Sequence, residues 1–202
     1  MKIYEMRVAP NPRRVRMYLH EKNIQMEYVE LDLQSGDNLS RSFREKNPMA
    51  KVPVLELDDG TFISETMSIC RYFEATYPDN PLLGSSPLEI AQIDMWQRRM
   101  EWYFLLPTGF CFQHGSDYFA DRMTPIKEWG EECRKSTQKF FFFLDKHLST
   151  TEFIAGDAFS VADITALCTI DFNKINQLAI SQEQVHLQRW YDQVSARSSA
   201  KA

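Results

Sequence analysis

Two dipeptides in the first third of the chain have residue types suited to holding a small peptide. Val52-Pro53 stands directly before a short apolar run of Val54, Leu55 and Leu57. Proline donates nothing to a sheet ladder, and X-Pro is where cis peptide bonds occur. Val52 is therefore expected to turn its N–H and C=O outward, where an extended peptide pairs with them as an added strand would. Glu65-Thr66 stands at the start of a helical pattern. Orphan N–H groups and the positive end of the helix dipole hold a carboxylate there, while the Glu65 side chain takes an ammonium. A ligand with an α-amino-acid head and a peptide body satisfies both dipeptides.

The stretch that positions them, residues 50–78, reads as strand, tight turn, strand, helix. Asp58-Asp59-Gly60 is a strong hairpin signal between Val54-Leu55-Glu56-Leu57 and Thr61-Phe62-Ile63. Ser64 is the expected cap of a helix whose apolar positions are Met67, Ile69, Cys70, Tyr72 and Phe73. Upstream, Ile3, Tyr4, Met6 and Val8 suggest a first strand. Asn11-Pro12 combines a favoured N-cap with the residue best tolerated at the first helical position, so a helix is expected from Pro12, with a stripe at Val15, Tyr18 and Leu19. Residues 26–33 give a second strand and 39–46 a short irregular helix. The order is β-α-β-α-β-β-α, a small α/β domain of the thioredoxin type. Arg13, Arg14 and Arg16 are expected on the solvated surface.

These residues, N-P-M-A-K-V-P-V-L followed by D-D-G and S-E-T, resemble the glutathione-binding domain of the cytosolic glutathione transferases. The resemblance implies that Val52 pairs with the cysteinyl backbone of glutathione and that Glu65 and Thr66 hold the γ-glutamyl amine and carboxylate. The family usually has Ser after the acid, and Thr66 keeps the hydroxyl. By resemblance to a theta-like pattern, Lys51 and Asn38 are candidates for the glycine carboxylate, although Asn38 also suits a turn. G-D-x-F-S-x-A-D-I at 156–164 resembles the helical-domain signature of the same family. There Ser160 and Asp163 form a capping box, and Asp163 is expected to be structural.

Such an enzyme presents glutathione as thiolate, the form that attacks electrophiles. Many members place Tyr, Ser or Cys after the first strand for this purpose. Here the loop is Val8-Ala9-Pro10-Asn11-Pro12, with Ala9 where Ser or Cys is expected. Asn11 is one candidate activator, its Oδ1 capping the helix while Nδ2 donates to sulfur; the alternative is that it is only a cap. The second lies on the later helix carrying Tyr103, Phe110, Gln113 and His114. In fungal and bacterial relatives without the usual residue, a water held by a Ser and a His from this helix is implied. Gly109 stands where that Ser would be and Gln113 aligns with the His, leaving His114 one place off, so His114 is either catalytic or structural. Tyr103, Phe110 and Phe112 suit packing or an apolar co-substrate pocket.

The composition restricts the rest. Net charge is −5 and pI about 5.4, which disfavours nucleic acid and anionic membranes as partners. Cys70, Cys111, Cys133 and Cys168 are scattered without a C-x-x-C pair, so a disulfide framework or a metal site is not expected, and reduced thiols in a cytoplasmic protein are. No run approaches the ~18 apolar residues of a membrane span, and the chain opens on a strand with no leader-like apolar region. YPDNPLLGSSP at 77–87 is turn chemistry. The expected organisation is a thioredoxin-like glutathione-binding domain at 1–78, a linker at 79–87 and an all-α domain at 88–202 carrying the electrophile pocket. Long helices are expected from Leu88 through Trp102, with a kink at Pro107, and over 125–148. Another opens at Ser160, and a last one near Trp190 precedes a frayed tail. The implied activity is conjugation of glutathione to a small apolar electrophile, or hydroperoxide reduction, by a homodimer. The alternative is a non-catalytic glutathione-binding or regulatory module with the same fold; a disulfide reductase is disfavoured because no Cys lies near Ala9.

Overall fold

Strand β1, Lys2–Glu5, lies inside a four-stranded sheet of order β2-β1-β3-β4, where β2 is Glu27–Glu30, β3 is Val54–Glu56 and β4 is Phe62–Ser64. The structure is a computed structural model describing all 202 residues. It divides into two units, Met1–Pro81 with Lys201–Ala202, and Leu82–Ala200. The break falls inside the turn-rich stretch, and Leu82 goes with the helical unit, its C=O accepting from Val161 N at 3.1 Å.

In the first unit β2 is parallel to β1, while β3 is antiparallel to both β1 and β4. A parallel pair needs a crossover, supplied by helix α1, Pro10–Glu21. The β3–β4 pair closes over Asp58-Asp59-Gly60, with Gly60 at φ 86, a conformation open to glycine. Successive strand residues face opposite ways. Ile3 and Leu55, register partners, are fully buried on one face. Tyr4 and Val54 take the other face, clustering with Phe43 of α2 (Arg41–Arg44) and Val52, and Met6 packs against that cluster. Helices α1 and α3 (Thr66–Thr76) bury Val15, Leu19, Ile69 and Phe73.

Three local expectations need correction. Helix α1 begins at Pro10, not Pro12, and its N-cap is Ala9, so Asn11 does not cap it; a proline at N1 forfeits only an N–H that would be orphaned anyway. Ser64 does not cap α3, because its backbone is committed to pairing with Val54; the cap position is Glu65. Arg14 and Arg16 are not solvated but 2% and 5% exposed. Glu5, itself buried on β1, gives Arg16 a partner at 2.5 Å, and Arg7 C=O accepts from the same guanidinium at 2.6 Å. Burial still holds the Glu5 carboxyl above its ordinary range, against the pull of Arg16.

The second unit is helical: α4 (Pro87–Met100), a π-helical turn (Glu101–Leu105), α5 (Leu106–Gly115), α6 (Lys127–Leu148), α7 (Val161–Phe172) and α8 (Val185–Ser195). Pro107 cannot donate to the preceding turn, and the irregularity it forces is the wider π turn just before it, closed by Leu106 N–H to Glu101 C=O. Helices α5 and α6 approach so closely that a Cβ on Gly130 would lie 2.7 Å from Gly115 N. Residues 161–170 of α7 are all buried, as expected of a helix without a polar face. Its capping box is present, and Asp163 does more than cap: Ser160 N–H and Oγ–H, Ile154 N–H and Trp190 Nε1–H all donate to its carboxylate, at 2.8 to 3.1 Å. Burial nevertheless pushes Asp163 up to about 6. The tail does not fray; Ser198–Lys201 is a 3₁₀ turn with Ser199 buried.

Candidate functional site

Sheet register brings the separated residues predicted to bind a peptide to one end of the first unit's sheet. Tyr4 faces Val54 across β1 and β3, and Met6 packs against the cluster that holds Val52. Val54 faces Ser64 across β3 and β4, and α3 begins two residues after Ser64. Val52 thus precedes the end of β3 at which β1 runs out toward α1 and β4 toward α3. The Val52-Pro53 bond is cis. Val52 is 9% exposed, yet neither its N–H nor its C=O has a hydrogen-bond partner in the protein. Buried main-chain polar groups are nearly always paired. An unpaired donor and acceptor on one residue, just before the start of β3, is an arrangement with which an extended peptide can pair.

Glu65 is exposed and adopts φ 71, ψ 124. That conformation costs a non-glycine residue on the order of 1–3 kcal/mol and collects at ligand sites. Glu65 C=O accepts the first helical bond from Ile69 N–H at 3.0 Å, whereas the N–H groups of Thr66, Met67 and Ser68 have no acceptor in the protein. Three aligned donors at the positive end of α3, beside a free carboxylate, match the carboxylate and ammonium of one amino-acid head.

The loop before Val52 is held by two asparagines. Asn47, 2% exposed, donates from Nδ2 to Lys51 C=O at 2.9 Å and accepts at Oδ1 from Met49 N–H at 3.1 Å. Ala50, at φ 53, donates to Asn47 C=O. Asn38 Nδ2 donates to Ala50 C=O at 2.7 Å, while its Oδ1 is buried without a partner. The Asn38 amide therefore braces the loop from behind, and a buried acceptor oxygen is the wrong group for a carboxylate. Lys51, the residue before Val52, is exposed, its side chain without a hydrogen-bond or ion-pair partner in the protein. The sequence does not single out Asn47, because Asn-Pro reads as punctuation; its one local signal is the tendency of Asn to bond the backbone two residues on.

Asn11 lies in the first turn of α1 between Pro10 and Pro12, which have no N–H, so its own N–H is the one main-chain donor of those three residues. Its Oδ1 accepts from Arg14 Nη1 at 2.9 Å, and neither its N–H nor its Nδ2 has an acceptor in the protein. Two free donors at a helix N-terminus form an anion-stabilising group. Tyr4, by contrast, donates its hydroxyl to Glu56 at 2.5 Å.

In the helical unit, His114 accepts at Nδ1 from Ile126 N–H, 3.1 Å away, and so caps the entry into α6. That bond places the proton of neutral His114 on Nε2 and removes Nδ1 as a base. Phe110 sits edge-on to His114, their ring centroids 6.0 Å apart, and contacts Trp129. Phe112 packs among Tyr118, Phe119 and Phe172. Gln113 is half-buried and Tyr103 is 64% exposed. A Cβ at Gly109 would touch nothing within 4 Å.

A thioredoxin-like sheet with an unpaired residue before a cis-proline, followed by an all-α unit, is the glutathione S-transferase fold. The chain belongs to the glutathione S-transferase family: the profile for the N-terminal domain of that family matches residues 3–81, that for the C-terminal domain matches 115–198, and the sequence is 35% identical to glutathione S-transferase 2 of Saccharomyces cerevisiae over all of this chain and 88% of the relative. Among solved structures, a glutathione S-transferase domain-containing protein of Marinobacter aquaeolei superposes with a TM-score of 0.94 at 37% identity, covering 98% of this chain and 99% of its own. A class Gtt2 glutathione S-transferase of Vibrio parahaemolyticus does so at 0.88 and 38%, covering 100% of this chain and 96% of its own.

Proposed function

We propose that the protein is a glutathione transferase in which Val52 pairs with the cysteinyl backbone of glutathione, Glu65 takes the γ-glutamyl ammonium, and the N–H groups and hydroxyl at Thr66 take its carboxylate. The observation that carries this is the unpaired N–H and C=O of Val52, at the end of β3 where the paired strand β4 runs on into the free first turn of α3. Pro53 fixes the residue after the pairing position, and Lys51 is assigned to the glycine carboxylate. Asn38 serves the site through Ala50.

The chemical step asks little of the protein. Lowering a thiol from about 8.5 to about 6.5 takes two pH units, or roughly 2.7 kcal/mol. One hydrogen bond to a charged acceptor supplies roughly 1.5–3 kcal/mol, and a helix N-terminus adds roughly 0.3–1. Asn11 offers both through Nδ2 and its free N–H, so a conventional Tyr, Ser or Cys is not required. The thiol proton leaves to water. The thiolate then forms a carbon–sulfur bond to an apolar electrophile, whose leaving group departs with the bonding electrons. With a hydroperoxide the thiolate attacks oxygen, the O–O bond breaks, the alkoxide takes a proton from water, and a second glutathione converts the sulfenic acid to disulfide and water. We assign contact with the apolar co-substrate to Tyr103 and Phe110, and give His114 the capping role. The four cysteines are free and buried, which suits a reducing cytoplasm, and no helix is long and apolar enough to cross a membrane. We place the protein there as a homodimer acting in detoxification.

Titration of glutathione into the protein, followed by thiolate absorbance, tests this. Binding with a thiol pKa well below that of free glutathione is expected. Absence of binding overturns the proposal, and binding with an unshifted thiol makes the chain a silent module.

A further inference from the structure

We propose that Arg14 is the positioning residue that decides which atom of the Asn11 amide meets the sulfur. The inference rests on the assignment of Asn11 to thiol activation. An asparagine amide presents either an NH₂ or a carbonyl oxygen to one side, depending on a half-turn about its last bond. Toward a thiolate the first attracts and the second repels, so an amide free to turn is a poor activator.

Arg14 removes that freedom. A guanidinium carries five donors and no acceptor, so the amide atom facing it has to be Oδ1, which lies 2.9 Å from Nη1. The two side chains stand three residues apart on one helix, where neighbours meet. Arg14 is 2% exposed, so the guanidinium is walled in and cannot follow the amide if it turns. Nδ2 is thereby directed away from Arg14, and it has no acceptor in the protein. Arg14 contributes to catalysis without touching the reacting atoms.

The test is a cycle of wild type, Arg14→Met, Asn11→Ala and the double variant, each titrated for the thiol pKa of bound glutathione and for glutathione affinity. Arg14→Met is expected to raise the thiol pKa by about one unit, a tenfold loss of thiolate at pH well below both pKa values, with affinity at low pH unchanged and no further rise in the Asn11→Ala background. Arg14→Lys, which keeps a donor, is expected to restore part of the shift. Should Arg14→Met not fold, Arg14→Gln serves, since its amide tolerates either orientation of Asn11; a pKa between wild type and Asn11→Ala is expected. A wild-type pKa in Arg14→Met or Arg14→Gln overturns the proposal while leaving Asn11 in place. An equal rise in the Asn11→Ala background also overturns it, because Arg14 then acts through its charge or the fold. A wild-type pKa in Asn11→Ala itself overturns the Asn11 assignment and the proposal with it.

Discussion

Replacing Asn47 with alanine tests whether the loop before Val52 is a preformed part of the glutathione site. The side chain makes two hydrogen bonds, Nδ2 to Lys51 C=O and Oδ1 from Met49 N–H. Each is worth about 1 kcal/mol net when its partner can return to water, and both Lys51 and Met49 are exposed. Stability is expected to fall by about 2 kcal/mol rather than by the larger figure for groups stranded in a core. The Lys51 carbonyl is the last anchored group before Val52, so the freed loop has to be ordered again on binding. If half to all of that energy is then taken from association, glutathione affinity drops roughly five- to thirty-fold, at about 1.4 kcal/mol per decade. Urea unfolding gives the first quantity through its midpoint, provided the slope is unchanged, and calorimetric titration of glutathione gives the second. A stability loss of this size with wild-type affinity would refute the argument, since it would mean that docking at Val52 does not depend on the geometry Asn47 enforces.

Two further outcomes follow from the same framework. Glu65→Ala removes a charge-assisted partner of the amino group, worth roughly 1.5–3 kcal/mol, so glutathione affinity measured by titration calorimetry should fall about ten- to a hundredfold while the fold persists. Asp163 carries a pH signature: its folded pKa is raised to about 6 by burial from an ordinary value near 3.9. A raised carboxyl contributes stability that is fully present below its unfolded pKa and lost as pH rises through its folded pKa. Between about pH 4 and pH 7 the stability of wild type relative to Asp163→Asn should therefore fall by about 3 kcal/mol, at ~1.36 kcal/mol per unit; the opposite slope in urea unfolding would show that the hydrogen bonds to the carboxylate outweigh its burial.

Much of this architecture is legible in local sequence because local physics determines it. Asp58-Asp59-Gly60 makes its turn in any context, Ser160 and Asp163 cap whatever helix follows, and a proline before an apolar run marks a strand edge. The misplaced features are those where tertiary pairing competes with a local preference. Ser64 is a good helix cap, but the ladder with Val54 claims it and leaves the cap position to Glu65 in a strained conformation. Arg14 and Arg16 read as surface because charge defaults to water, and nothing near them in sequence announces that Glu5 waits on the neighbouring strand. Asn11 loses its capping role to Ala9 because Pro10 already starts the helix, and its oxygen turns to Arg14 instead. The role of His114 depends on Ile126, beyond the end of its own helix.

The central claim is that glutathione lies along Val52 with its amino-acid head on Glu65 and Thr66, and a crystal structure of the protein with glutathione bound tests it most directly. The account predicts that Val52 N–H and C=O each lie about 2.7–3.2 Å from the complementary groups of the ligand's cysteinyl residue, with the γ-glutamyl carboxylate on the first turn of α3. A bound tripeptide that leaves both groups of Val52 without a partner, or whose amino-acid head is held elsewhere, would contradict it.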